Sequence, residues 1–388
     1  MAQLPGLNAA KPPGSSGSTT RITALDSLRG PAALIVVFHH LDNTLDPDGR
    51  SRSLGPILHH SALRLLVDGR FAVILFFVLS GFALSVSIGE RFNYWRYLLK
   101  RICRLMIPCA ASVLVAAAAY SVVHPKPIPG LGDWFNYVLW NEPVSLGLIA
   151  RHFLMTGAQA DTSLVNVLWS LVIELRISLI FPILYLAAKG RTKSAFVASI
   201  ALQFLFRYLT QQSGNFVPFF NDSWTEALEN IGYYMPFFIV GIVARENFGV
   251  IKGFVTRMPK FVVFLALLGA LWLGESGEDM KIGLGAFLIL CICVSAPYIS
   301  NALSVRPIKW LGQISYSLYL VHLTVLATAF HLFYGKINDL ELCTLVVLGS
   351  LVVAQLMYWL VEKPSMELGR WLTRDKPKTV TAMWQSVS

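Results

Sequence analysis

Residues Ala24–Leu41 read ALDSLRGPAALIVVFHHL, and the reading of this stretch decides the fold. It is an apolar run of membrane length that carries Arg29 near one end and His39 and His40 near the other. A helix turns by about 100° per residue, so the eleven steps from Arg29 to His40 come back to within roughly 20° of the start. At ~1.5 Å per residue the two side chains share one face about 16 Å apart, while His39 points about 80° away. An ionisable group at bilayer depth costs ~2.5–3.5 kcal/mol or more, so it marks a site by default. The other reading is a snorkelling arginine at the cytoplasmic end and a histidine at the outer interface. This helix alone leaves both open.

The rest of the composition agrees with a membrane. Of 388 residues 55% are hydrophobic and 14% charged, against about 25% charged in a soluble domain. With mean hydropathy +0.58, the chain is read as an all-α integral membrane protein. The net charge of +10 needs no nucleic acid partner, because basic cytoplasmic loops account for it. The five cysteines, Cys103, Cys109, Cys291, Cys293 and Cys343, form no C-x-x-C pair, and no ligand cluster for a metal is apparent.

About ten apolar stretches approach spanning length, near 24–42, 69–89, 104–123, 165–188, 194–210, 229–246, 261–274, 282–300, 310–334 and 340–362. With the N-terminus inside, 22 of the 32 lysines and arginines fall on the cytoplasmic side, which predicts ten spans with both termini cytoplasmic. Residues 1–21, rich in Pro, Gly and Ser, are expected to form a flexible cytoplasmic tail, and 371–388 a basic one. Two longer outer connections, 43–68 with Asp46, Asp48, His59 and His60, and 124–164 with Trp134 and Trp140, either roof a site or merely connect.

Four other stretches carry polar side chains into the apolar pattern. The segment 90–108 holds Arg91, Arg96, Lys100, Arg101 and Arg104 beside an apolar face, which suits an amphipathic helix on anionic lipid. Arg101 and Arg104, one turn apart, also suit a phosphate clasp, because the guanidinium fork matches phosphate. The fourth stretch carries Trp169, Ser170, Glu174 and Arg176; Glu174 and Arg176 do not face each other, so each should find a partner on another helix. The ninth places Ser315, Tyr319 and His322 on one face, where His322 is either a packing residue or part of a site. The tenth ends in Val361-Glu362-Lys363-Pro364, where proline can stop the helix and Glu362 can pair with a cytoplasmic arginine.

Taken together these motifs are a resemblance. LDSLRG with His40, FFVLSGF at 76–82, RICRLMIP at 101–108, LWSLVIE at 168–174, ISYSLYLVH at 314–322 and VEKP at 361–364 resemble, in order, membrane-bound acyltransferase family 3. The resemblance covers roughly 21–370 and implies an acyltransferase-3-like transmembrane domain over 22–370 in a bacterial cytoplasmic (inner) membrane. It implies transfer of an acyl group, often acetyl, from cytoplasmic acyl-CoA to a hydroxyl of a carbohydrate or glycolipid. No permanently bound cofactor is expected. Arg29 and His40 match the family's catalytic Arg-x10-His motif, and Arg101 and Arg104 its Arg-x-x-Arg motif. Leu175-Arg176-Ile177-Ser178 departs from the Glu-Gln-Phe-Tyr that many members carry after the Glu174 position, which bears on the acceptor pocket.

The chemistry of the residues fits such a transfer. Cations inside suit the phosphates of coenzyme A, whose arm reaches toward His40 as general base, with Asp26 orienting Arg29. A second route uses Ser80 as acyl-carrying nucleophile, though Ser80-Gly81 also suits close helix packing. Outside enzymes, the intramembrane charges also suit a transporter or flippase of a glycan or small anion, or a sensor. The sequence does not define the oligomeric state.

Overall fold

A computed structural model of the chain describes residues 16–45, 62–89, 92–154, 162–212 and 224–374. Among these residues there is no strand, and the ten apolar stretches all fall on helices. The helices are α1 (Ser16–Leu45), α2 (Gly69–Ser87), α3 (Tyr94–Val123), α4 (Asp133–Tyr137), α5 (Leu146–Phe153), α6 (Leu168–Ala188), α7 (Thr192–Gln212) and α8 (Trp224–Glu246). After them come α9 (Phe248–Arg257), α10 (Lys260–Gly274), α11 (Asp279–Ser295), α12 (Pro297–Ala302), α13 (Arg306–Phe333), α14 (Asp339–Met357) and α15 (Lys363–Leu372). Six segments are long and apolar enough to cross a membrane: Gly69–Ser87, Tyr94–Val123, Leu168–Ala188, Glu226–Glu246, Arg306–Phe333 and Asp339–Leu372. In hydrocarbon a helix is the natural solution, because it satisfies its own backbone groups. The protein is integral to the membrane.

The helix ends follow local chemistry. Asp68 caps α2 by accepting the Phe71 amide at 2.9 Å, and Asn93 caps α3 by accepting that of Arg96 at 3.0 Å. Asn338 and Glu341 form a capping box on α14. Residue 124, at φ 52°, closes α3 in the left-handed conformation.

Three expectations change here. The basic segment and the third apolar stretch are one continuous helix, α3, with Pro108 inside it. Part of the expected N-terminal tail, residues 16–21, is already helical, whereas 1–15, 46–61, 90–91 and 375–388, and with them Asp46, Asp48, His59, His60 and Arg91, lie outside the described residues. Finally, Pro364 does not stop the tenth span: α14 passes through a π-helical turn, Tyr358–Glu362, straight into α15. Proline removes an N–H and crowds the carbonyl four residues back, and a wider turn absorbs both.

Two close backbone approaches set the interior. A side chain at Gly81 of α2 would meet the Phe238 carbonyl oxygen of α8 at 2.2 Å, and one at Gly241 would meet that of Val78 at 2.3 Å. Gly312 of α13 lies equally tight on α1, where a Cβ would come 2.3 Å from the Asp26 oxygen. Small residues bring helices this near, as dispersion packing in lipid favours. The result is a central group in which α1 packs on α2 and α13, α3 packs on α6 and α13, and α2 packs on α6.

Candidate active site

Two cavities open inside this central group. The first, of about 220 Å³, lies toward the Arg29 end of α1 and is lined by Asp26, Arg29, Ser80, Arg101, Arg104, Glu174 and Glu362 among others. Three cations thus face three carboxylates. Arg29 pairs with Asp26 at 3.0 Å, one turn back on α1. Arg101 pairs with Glu174 at 2.8 Å and also donates to the Ser178 hydroxyl at 2.8 Å. Glu362, buried at the π turn, accepts the Ser317 hydroxyl at 2.6 Å rather than an arginine. Among the described residues Arg104 is in no ion pair, so its guanidinium is the lining cation left over for an anionic ligand. The two arginines of the 101–104 pair therefore differ: one ties α3 to α6, the other is available.

The second cavity, about 550 Å³, lies at the histidine end and is lined by His39, His40, Asp42, Asn43, Asp68, Arg70, Trp134, Asn166 and Trp169. Its surface is amphipathic, with indole rings beside amides and carboxylates. Arg70 binds the Asp279 carboxylate and donates to the Tyr234 hydroxyl at 3.1 Å, which pins the α2 end of this wall to α8 and α11. The segment that bears Trp134 is held on α1 by the Gly132 amide, which donates to the Thr44 carbonyl at 3.1 Å. Trp134 then stacks on His40, ring centroids 4.7 Å apart and 19° from parallel.

The neighbouring histidines separate in role. His39 Nδ1 donates to the Val67 carbonyl at 2.9 Å, and its Nε2 accepts from Asn43 at 3.1 Å. Both of its nitrogens are engaged, so it fastens α1 to the turn before α2. His40 is buried and, among the described residues, its Nδ1 has no partner. Behind it His322, fully buried, lies 5.3 Å away, ring to ring.

Val73 and Tyr319 line both cavities and so form their partition. The Tyr319 and Ser170 hydroxyls are hydrogen-bonded at 2.6 Å, and Phe76 lies edge-on to Tyr319. Arg29 and His40 thus stand on opposite sides of a thin wall of side chains.

Asp26, Arg29, Ser80, Arg101, Arg104, Ser170 and Glu174 gather at the first cavity, and His40 and Trp169 at the second. Glu174 finds its partner on another helix, Arg101 of α3 and not Arg29. Ser80 donates to Glu174 at 3.1 Å, sharing Oε1 with the Arg101 guanidinium. Trp134 lay in a connection that the sequence left open as a roof over a site, and a short helix, α4, brings it in; Arg70, at the start of α2, had no local signal. Glu362 had one, a lone carboxylate before Lys-Pro, but its inward turn depends on the π turn.

Comparison with known proteins follows the same lines. The model of the "Acyltransferase domain" family matches residues 22–359. The chain is 22% identical to the putative peptidoglycan O-acetyltransferase of Bacillus subtilis (strain 168), over 88% of this chain and 54% of that one. It is 23% identical to the peptidoglycan O-acetyltransferase of Listeria monocytogenes, over 90% and 56%. Nodulation protein 10 of Rhizobium leguminosarum bv. viciae is 23% identical, over 92% of this chain and 96% of its own length. The chain thus spans about half the length of the first two relatives. No solved structure matches. With the family model matching 22–359, which holds the second cavity and all of the first but Glu362 and Met366, the chain belongs to acyltransferase family 3.

Proposed function

We propose that the protein transfers an acyl group, acetyl as the simplest case, from cytoplasmic acyl-CoA to a hydroxyl of a carbohydrate or lipid-linked glycan. The observation that carries this reading is the pair of cavities sharing Tyr319 and Val73, with an uncommitted arginine in one and a buried histidine at the other. Arg104, with Arg29 beside it, receives coenzyme A phosphate, and the acyl-bearing arm passes the Ser170–Tyr319 contact toward His40. The helical rise from Arg29 to His40, about 16 Å, suits a long, thin arm.

The reaction is direct. The acceptor hydroxyl oxygen attacks the thioester carbonyl while His40 takes its proton, forming the C–O bond; the C–S bond then breaks. The departing thiolate takes up a proton, so the balance is acyl-CoA plus alcohol giving ester plus free thiol. A positioned general base contributes typically about 10²–10⁴-fold, and Arg29, across the partition from His40, helps to hold the anionic donor. Trp169, Asn166 and Asp42 give the second cavity the stacking surface and hydrogen-bonding groups that a sugar ring needs.

This reading carries the topology with it: ten spans, both termini cytoplasmic, in a bacterial cytoplasmic membrane. The names of the two peptidoglycan-modifying relatives support a cell-surface glycan acceptor. The test uses purified protein in lipid vesicles with radiolabelled acetyl-CoA and a glycan extract. Acetyl-CoA-dependent label in the glycan is the expected result; movement of glycan or anion without thioester consumption would make the protein a transporter instead.

A further inference from the structure

We infer that His322 is a positioning residue for His40: its Nε2 accepts a hydrogen bond from His40 Nδ1–H and so fixes the tautomer that leaves His40 Nε2 free to take the acceptor's proton. The inference rests on the general-base reading of His40 given above and deepens it.

The nitrogens carry the argument. His322 Nδ1 lies 3.0 Å from the Leu318 carbonyl oxygen, one turn back on α13. A carbonyl only accepts, so the proton sits on Nδ1, and the neutral ring then has a bare lone pair on Nε2. That nitrogen is fully buried and has no partner among the described residues. His40 Nδ1 is likewise buried without a partner. Unpartnered buried polar atoms are few in a folded protein and costly to leave so. Here two occur on adjacent rings whose centroids are 5.3 Å apart at 28°. One is fixed as an acceptor by its own backbone bond, and the other, on a ring that must hold one proton, is the matching donor.

The surroundings direct the pair. Trp134 stacks on His40 at 4.7 Å and holds its ring plane. His39 cannot substitute, because the Val67 carbonyl and Asn43 occupy both of its nitrogens. His40 has neither a carboxylate nor a backbone carbonyl bonded to its Nδ1, the usual orienting partners of a histidine base. Hydrogen bonds between catalytic groups are often long before substrate binds and tighten in the reacting complex, so a long Nδ1–Nε2 contact sets the resting tautomer and shortens when the acceptor engages His40 Nε2. No proton leaves His40 for His322 in the cycle. The proton taken from the hydroxyl stays on His40 Nε2 until the leaving thiolate receives it, and His322 steadies the transient imidazolium through Nδ1–H.

Two experiments test this. Nitrogen-15 NMR of histidine-labelled wild-type protein in lipid nanodiscs, with signals assigned through His40→Ala and His322→Gln, reads the tautomers directly and needs no acyl transfer. His40 protonated on Nδ1, with His322 bare at Nε2, is expected; a resting His40 protonated on Nε2 overturns the inference whatever reaction the protein performs. In the acetyl-transfer assay, His322→Asn keeps a donor for Leu318 but puts nothing at the Nε2 position, so kcat falls about 10²-fold with the acetyl-CoA KM unchanged. His322→Gln places an amide oxygen there and restores kcat to within about tenfold of wild type. In a His40→Ala background the Asn substitution has no further effect. Wild-type kcat in His322→Asn, or equal loss in the Asn and Gln variants, contradicts the assignment.

Discussion

The two arginines of RICR do different work, although their spacing makes them look like a matched pair. Arg101 is locked to Glu174 and Ser178, and Arg104 is not. Breaking a mostly buried ion pair leaves a charge uncompensated, at a cost of about 3–5 kcal/mol. Arg101→Ala should therefore lower thermal stability in detergent, with Glu174→Ala doing the same. Arg104→Ala should leave the melting temperature near wild type and raise the KM for acyl-CoA by an order of magnitude or more. Identical stability losses for both arginines would contradict the division. Ser80, which shares the Glu174 carboxylate with Arg101, is expected to carry no acyl group in rapid-quench labelling; a stoichiometric ester on Ser80 would replace direct transfer by a two-step route. These distinctions were not visible in the sequence, where spacing shows only that two cations share a turn. Which of them meets a carboxylate depends on the approach of α3 to α6. His40 was separable from His39 by helical angle alone, because one helix fixes both.

At the scale of the element, hydrophobic runs identified the helices well, since in lipid the helix is nearly forced once the run is long enough. What runs did not show was where helices continue. The α3 segment looked like an interfacial helix followed by a span, because arginines end an apolar window without ending a helix. The π turn at Tyr358–Glu362 was hidden for a similar reason: Pro364 signals a break, and a widened turn is an alternative way to satisfy the same steric demand. That turn aims Glu362 at Ser317. The Gly81–Gly241 contact between α2 and α8 is the element-scale feature with the sharpest test. A methyl at Gly81 would fall 2.2 Å from the Phe238 oxygen, so Gly81→Ala must push the helices apart. Overpacking of this kind costs about 1–3 kcal/mol, read as a lower melting temperature together with reduced transfer, because Ser80 and Val73 on α2 line the first cavity and the partition. An unchanged melting temperature would show that the contact is looser than described.

At the scale of the whole molecule, the proposed path through the membrane domain runs from phosphates at Arg104, along an acyl-bearing arm past Tyr319 and Ser170, to a hydroxyl at His40 beside Trp134. The direction proposed for that path comes from the charge asymmetry and the order of the motifs. The wall of the second cavity as a whole was not legible, because Trp134, Arg70 and Asn166 come from three separate segments that only the fold assembles. Filling the partition should close the path. Ser170→Trp is predicted to block transfer and, because Ser170 also lines the first cavity, to weaken binding of a non-hydrolysable acyl-CoA analogue; an unchanged transfer rate would contradict the path. The most direct measurement of the central claim uses sealed vesicles of known orientation, with labelled acetyl-CoA supplied on one side and glycan on the other. Thioester consumption with label appearing on the glycan opposite, only when acetyl-CoA is on the side bearing Lys100, and lost at least 10²-fold in His40→Ala, is the predicted result. Label appearing only on glycan supplied on the same side as the donor, or undiminished in His40→Ala, would contradict it.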